Sequence, residues 1–376
     1  VNVLVLCARF PERGRNGDQG RVREQVELLS AAHEVTVLTA GQPSSGAVRR
    51  ELEGFASVRI VAAGWLRRAV AALAAGVRAR PLQVGWMTPR KLWREAVHAA
   101  ERCDVVLVST IRCLPGALPA PTVLDHIDAL SANMRERAGL ERNPALRLGA
   151  HLDAHLLGAH EARAARWVAA QTVITSREAD ALPASPPPIV VPPAWIGPSA
   201  AAHAAQRDID VILTGNMRYS PNRDAARWLV GEIVPRLRER HPEVRVVVAG
   251  RAAGALRLSG VDVLSDVPDL AELLTRSKVA AVPLRAGTGA PTKLFEALAC
   301  GAAVVSTPWV ARAVDLDIDT ADDAPRFALA LASLVTDETL RVRRAAAAGA
   351  GLAARRPAAI RDLLARVLAD AARTPV

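Results

Sequence analysis

The stretch KVAAVPLRAGTGAPTKLFEALACGAAVVST occupies positions 278–307 and decides the fold. KVAAVPL reads as a buried strand and RAGTG as a turn. APTKLFEALACG starts a helix, with Leu294, Ala297 and Leu298 available for its buried face, and AAVVST returns as a strand. Strand, glycine turn, helix and strand make a parallel crossover unit. Gly287 and Gly289 let backbone approach a ligand closely. The first turn of the helix offers unpaired N–H groups and a partial positive charge, a site for a diphosphate. Lys293 adds a compact full charge; Lys91, Lys278 and Lys293 are the only lysines among the 48 basic residues. Glu296, three residues on, shares its face. A carboxylate accepts two hydrogen bonds side by side, as the two hydroxyls of a ribose require. The plainer alternative is a surface Lys–Glu pair.

The same grammar runs outward in both directions. DIDVILTG, VRVVVAG and VDVLS are strands, and SPNRDAARWLVGEIVPRLRER reads as a Ser-capped helix with proline at its first position. Upstream, VNVLVLCA, EVTVLTA, SVRIVAA, DVVLVS, TVLDHI and QTVITS are short apolar or β-branched runs. Between them, 21–32 has Val22, Val26 and Leu29 at helical spacing, and 88–102 reads as a helix capped by Thr88. A stretch rich in Pro and Ala reads as a linker at 195–207. These features predict an α/β protein of two doubly wound parallel domains, 1–195 and 196–356, facing each other across a cleft. Its last helix, about 357–376, is a candidate to pack back on the first domain. Open α/β sheets bind ligands at the carboxyl ends of their strands.

Composition sets bounds. A chain of 376 residues, 51% hydrophobic, suits two domains with large cores. The excess of Ala and Arg resembles a GC-rich bacterial coding bias, so arginines are not read as functional one by one. The formal charge of +10 favours anionic partners, a phosphorylated ligand or an acidic membrane surface. No basic block is interleaved with aromatics, so nucleic acid is not the expected partner. Cys7, Cys103, Cys113 and Cys300 form no C-x-x-C pair and read as reduced thiols of a cytoplasmic protein. The opening run reads as a strand and not as a secretory leader. The one long uncharged stretch, 181–206, is broken by prolines and cannot span a bilayer.

PLRAGTGAPTKLFEALACGAAVVST resembles the donor-binding segment of retaining GT-B glycosyltransferases of family 4, which carry G-x-G…K…E-A-x-A-x-G-x-P-V-V-x-T. LTGNMRYSPNRDAARWLVGEIVPRLRERHPEVRVVVAG is similar to the start of their second domain, and CARFPERGRNGDQGRVREQVELLSAAHEVTVLT to their first strand, glycine loop and helix. The resemblance covers most of the chain and is strongest over 213–307. It implies transfer of a sugar from a UDP- or GDP-linked donor to an acceptor hydroxyl, with retention of configuration and no metal or other cofactor. It implies that Glu296 holds the ribose, that Lys293 with Gly287, Thr288 and Gly289 faces the diphosphate, and that Gly17 lies close to the same phosphates. His126 matches a histidine near the donor sugar. Asn216 and Arg218 replace a more usual Arg…Lys pair. Thr288 stands where many members have a second glutamate, and VVSTPWVARAVDL lacks a frequent Gly-Gly pair. The leaving phosphate itself would take the acceptor proton, with Lys293, the helix N-terminus and Arg218 stabilising its charge.

Other residues carry weaker readings. Asp128 flanks His126 across Ile127 and, with Asp18, is a candidate for acceptor contact. Arg9, Arg13, Arg15 and Arg21 surround the first glycine loop, as phosphate ligands or as a solvated face. His151 and His155 have a metal-ligand spacing but no partner motif, and DLDIDT reads as a solvated acidic turn, so no metal is expected. GWLRRAVAALAAGVRARPLQVGW mixes apolar residues with arginines. It reads as a core helix with basic ends, an acceptor surface, or a peripheral contact with an anionic membrane on its cytoplasmic face. Two competing functions are a nucleotide-sugar epimerase on the same architecture and a non-catalytic partner that kept the fold. Acceptor identity and oligomeric state are not encoded legibly.

Overall fold

The computed structural model describes residues 1–13, 17–140, 143–194, 207–285 and 292–374. The chain divides into two compact units, Val1–Ala194 with Pro357–Val376, and Trp195–Arg356. Most of the proline-rich linker lies outside the described residues, as do Arg15 and the turn with Gly287, Thr288 and Gly289.

The first unit is built on seven strands: β1 (Asn2–Cys7), β2 (Glu34–Thr39), β3 (Ser57–Ile60), β4 (Val105–Ser109), β5 (Thr122–Ile127), β6 (Ala170–Val173) and β7 (Pro188–Val190). They pair in the order β3-β2-β1-β4-β5-β6-β7, every pair parallel. The order reverses between β1 and β4, where Val3 lies opposite Val105. Between the strands run α1 (Gly17–Ser30), α2 (Gly46–Glu53), α3 (Trp65–Val77), α4 (Leu82–Met87), α5 (Arg90–Ala100), α6 (Leu130–Leu140), α7 (Pro144–Ala164) and α8 (Ser176–Asp180).

The second unit has six parallel strands, β8 (Ile209–Thr214), β9 (Val246–Gly250), β10 (Asp262–Ser265), β11 (Ser277–Val282), β12 (Ala303–Ser306) and β13 (Asp319–Thr320), in the order β10-β9-β8-β11-β12-β13. Here the order reverses between β8 and β11. Its helices are α9 (Ser220–Trp228), α10 (Val234–Arg238), α11 (Leu270–Thr275), α12 (Thr292–Ala299), α13 (Pro308–Arg312), α14 (Ala324–Thr336) and α15 (Glu338–Ala353). The last helix, α16 (Pro357–Ala372), belongs to the first unit.

Both sheets are covered on two faces, which is why their strands read as unbroken apolar runs. Alternate residues of β1 enter different cores. Val3, Val5 and Cys7 join Val22, Val26 and Leu29 of α1 and Ile360, Leu364, Val367 and Leu368 of α16. Leu4 and Leu6 join Leu92 and Ala96 of α5 and Leu157 of α7. The α16 residues recur at i, i+4, i+7 and i+8, the stripe of a helix with one buried face. In the second unit Phe327 and Trp228 meet edge to face, their ring centroids 5.8 Å apart.

Three local expectations are corrected. Thr88 does not cap a helix: its hydroxyl donates to the Arg112 carbonyl at 2.9 Å, and Pro89 stands at the cap of α5 with no side-chain bond. Ser220 is the first residue of α9 rather than its cap, which is Tyr219. In the acidic run, Asp319 enters the edge strand β13, and Arg344 pairs with it at 2.9 Å and with Asp317 at 3.6 Å.

Candidate functional site

In the second unit the end of β8, the start of α9 and the start of α12 converge beside the strand-order reversal. Chain packing is tight there. A Cβ on Gly250, at φ +128, would lie 2.3 Å from the Gly215 carbonyl oxygen. One on Gly215 would lie 2.9 Å from Lys293 Nζ and 3.0 Å from Asn222 Nδ2. Glycine at both positions lets β8 and β9 close up and gives the lysine ammonium room against backbone.

Lys293, in the first turn of α12, donates from Nζ to Asn222 Oδ1 at 2.5 Å. Asn222 is itself buried and donates from Nδ2 to the Asn216 carbonyl at 2.9 Å. Asn216 Oδ1 accepts from the Arg218 backbone N–H at 3.0 Å. A relay of short contacts thus fixes the lysine to the loop after β8. Burial depresses the Lys293 ammonium from 10.5 to about 8, with Glu296 opposing the shift. Burial raises the Glu296 carboxyl, with Lys293 opposing. The two groups share one half-buried face, and each opposes the other's shift towards the neutral form. Asn216 and Arg218 stand exposed at the rim of this loop. The arrangement offers a confined cation, helix N–H groups and a carboxylate, the donors and acceptors that a phosphorylated sugar derivative needs.

In this unit sequence reasoning missed Asn222. Its signal was present in SPNRD as a polar residue one turn into a helix, but its direction is set only by the loop fold.

In the first unit a small crevice at the ends of β1 and β4 is lined by Arg9, Asp18, Gln19, Ser109, Thr110 and Arg112 among others. Gly17 is the first described residue of α1, and nothing lies within 4 Å of a Cβ built on it. Asp18 pairs with Arg9 at 3.1 Å. Asp128 lies where Arg112 and Glu178 act on it. Burial and Glu178 push its carboxyl up to about 6, against the pull of Arg112. Arg112 also feels Arg9 and Asp18, so both acidic candidates belong to one electrostatic cluster. Thr110, at φ 67, turns the chain out of β4 to present this segment. Sequence reasoning missed Thr110 and Arg112 because nothing in STIRC marks them.

His126 is buried near the end of β5. It is 1% exposed, and its Nε2 is 2.9 Å from Gln171 Oε1. Gln171 in turn donates to the Pro183 and Pro186 carbonyls at 3.1 and 2.7 Å. Burial lowers the imidazole to about 4, so it is neutral near pH 7. Ile127, at φ 65 and a break in register with β6, ends the two-residue alternation. His126 and Asp128 are therefore not equivalent positions on one side of the strand. The ring is held through Nε2, while its buried Nδ1 has no hydrogen-bond partner among the described residues.

Arg21 is corrected. Its guanidinium is buried and donates to Asp125 at 3.2 Å, Glu24 at 3.0 Å and the Val191 carbonyl at 2.7 Å. Gln25 supplies a further donor to Asp125 at 2.5 Å. Arg21 thus ties α1 to β5 and the end of β7 and has no reach to a ligand. Arg13 pairs with Glu27. His151 and His155 are exposed on α7, and the described residues contain no cluster of metal-ligating side chains.

Two doubly wound parallel units in one chain, each with a polar cluster at its strand-order reversal, define a protein of the GT-B fold. The solved structures agree over nearly the whole length. Anabaena HepE in complex with UDP matches at 15% identity and a TM-score of 0.63, covering 98% of this chain and 99% of that one. WaaG, a glycosyltransferase involved in lipopolysaccharide biosynthesis, matches at 15% and 0.60 over 98% and 99%. A glycosyltransferase from Rickettsia africae matches at 10% and 0.60 over 100% and 99%. A family model described as glycosyl transferases group 1 matches residues 208–337, within the carboxyl-side unit. No curated protein matches the sequence.

Proposed function

We propose that this protein is a retaining glycosyltransferase that moves a sugar from a UDP- or GDP-linked donor to an acceptor hydroxyl without a metal ion. The observation that carries the reading is Lys293 and Glu296 on the first turns of α12, held beside the β8–β11 reversal within a match to group 1 glycosyltransferases. HepE, of the same fold, binds UDP and UDP-glucose, which supports a nucleotide-sugar donor here.

In this reading Lys293 and the α12 N-terminus face the diphosphate and Glu296 accepts from the ribose hydroxyls. Gly287, Thr288, Gly289, Asn216, Arg218 and Gly17 complete the donor contacts. As the glycosidic bond lengthens, negative charge grows on the leaving phosphate and positive charge on the sugar ring. The lysine, already held by Asn222, stabilises the phosphate without reorganising at that moment. The leaving phosphate oxygen takes the acceptor proton, so no buried acid is needed, and His126 lies near the donor sugar. Asp128 and Asp18 are the groups for acceptor contact. The place of action is cytoplasmic.

Calorimetry with UDP and GDP tests the donor site. Lys293→Ala and Glu296→Ala should each weaken nucleotide binding on the order of tenfold or more. Unchanged affinity in both variants removes the reading. Incubation with a panel of nucleotide sugars, with and without acceptors, then separates transfer from epimerisation and from a non-catalytic partner. The anomeric configuration of the product, read by NMR, decides retention.

A further inference from the structure

We infer that the face of the first unit carrying α3 docks on an anionic lipid bilayer. This goes beyond the proposed activity and does not depend on it. A helix on a soluble domain turns its apolar stripe inward. In α3 the order is inverted. Leu66, Val70, Leu73 and Val77, at i, i+4, i+7 and i+11, are 61, 63, 68 and 90% exposed, and Trp65 is 68% exposed. The residue that α3 buries is Ala75.

This outward stripe is not a consequence of loose packing. A Cβ on Gly85 of α4 would lie 2.1 Å from the Ala71 carbonyl oxygen, so α3 and α4 touch backbone to backbone. Arg68 fixes the start of α3 through the Ala63, Trp86 and Ala40 carbonyls at 3.2, 3.2 and 3.0 Å. Helix α4 adds exposed Leu82 and Trp86. Gln83 donates to Asp153 at 3.0 Å and joins α4 to α7, whose early turns expose Leu148 and Leu152. Soluble monomers rarely expose contiguous apolar surface beyond a few hundred Å².

Charge selects the occupant. Residues 62–89, which span α3 and α4, contain four basic side chains, Arg67, Arg68, Arg78 and Arg80, and no Asp or Glu. Arg67 and Arg78 are exposed beside the apolar stripe. A second copy of the chain seated on this face would bring those arginines together with no carboxylate from the stretch between them. Lipid phosphates neutralise them, while the aliphatic residues enter the acyl boundary and Trp65 and Trp86 take the headgroup level. No helix among the described residues is long and apolar enough to cross a membrane, so the contact is peripheral.

The test is co-sedimentation of the full chain with phosphatidylcholine vesicles, with and without about one third phosphatidylglycerol. The wild-type protein should sediment with the anionic vesicles and remain in solution with the neutral ones. The double variant Leu73→Asp/Val77→Asp should lose binding on the order of tenfold or more, and Arg67→Glu/Arg78→Glu should lose it comparably. Both variants change exposed positions, and unaltered circular dichroism establishes that they fold. Wild-type protein left in solution with anionic vesicles overturns the proposal, as does undiminished binding by both variants. So does a dimer, seen by sedimentation velocity, that Leu73→Asp/Val77→Asp converts to monomer, since the occupant is then a second copy.

Discussion

Replacing Lys293 by arginine or by methionine separates the charge of this side chain from its proton affinity. Burial holds the free ammonium at about 8 against an ordinary 10.5. A group of that pKa is about 90% charged at pH 7 and about 10% charged at pH 9. A diphosphate placed beside it favours the charged form and draws the pKa back up. If the bound lysine returns to its ordinary value, the span is 10.5 − 8 = 2.5 decades. Nucleotide affinity should then fall about tenfold per pH unit above pH 8, by at most ~300-fold across the window. The assay is calorimetric titration with UDP from pH 7 to pH 10, with the Lys293→Met variant correcting for ionisation of the nucleotide itself. Lys293→Arg should bind with no such slope, because a guanidinium stays charged throughout. Proton uptake on binding near pH 8, about half a proton per nucleotide, is the companion measurement. The stability of the free protein should move the other way. Between 8 and 10.5 the unfolded chain holds more protons at this position than the folded one, so unfolding free energy from this group rises with pH. A ratio of wild-type to Lys293→Met affinity that stays constant from pH 7 to pH 10 refutes the assignment of the lysine to the diphosphate.

Gly215→Ala should weaken nucleotide binding and cost about 1–3 kcal/mol in a urea titration, since the new methyl lies 2.9 Å from Lys293 Nζ and 3.0 Å from Asn222 Nδ2. Asp125→Ala should cost about 3 kcal/mol by the same measurement, because it removes one of the two carboxylates that pair with the buried Arg21 guanidinium and leaves Glu24 as the other. His126 should make the fold acid-sensitive. Its folded value near 4 lies below its ordinary 6.5, so the unfolded chain holds more protons between them and stability falls as pH drops through that window. The loss should reach at most ~3 kcal/mol, and His126→Gln should lack it while retaining nucleotide affinity.

How much of this was legible varied from element to element. The strands of both sheets could be read because a parallel sheet covered on two faces leaves no polar position in its middle, as the fully buried VVLVS of β4 shows. Strands such as Pro188–Val190 and Asp319–Thr320 could not be read, being short edge strands whose pairing, not composition, defines them. The Lys293–Glu296 pair could be placed on one helix face by counting, because helix geometry is local. Its buried partner Asn222 could not, because the contact spans 71 positions. The surroundings of His126 could not be read for a related reason. Alternation along β5 presumes regular backbone, and Ile127 breaks it with a positive φ.

By itself the sequence determined what depends on period and chemistry: two parallel α/β sheets, the crossover at 278–307, and a lysine and glutamate one turn apart after a glycine turn. The tertiary structure decided what depends on distance and solvent. It buried His126 and Arg21, pressed Gly215 against the lysine so that burial holds the ammonium near 8, and turned the leucines of α3 outward. The physical reason is that hydrophobic periodicity fixes which residues share a face, whereas desolvation and hydrogen-bond partners are properties of the space that other elements leave around that face.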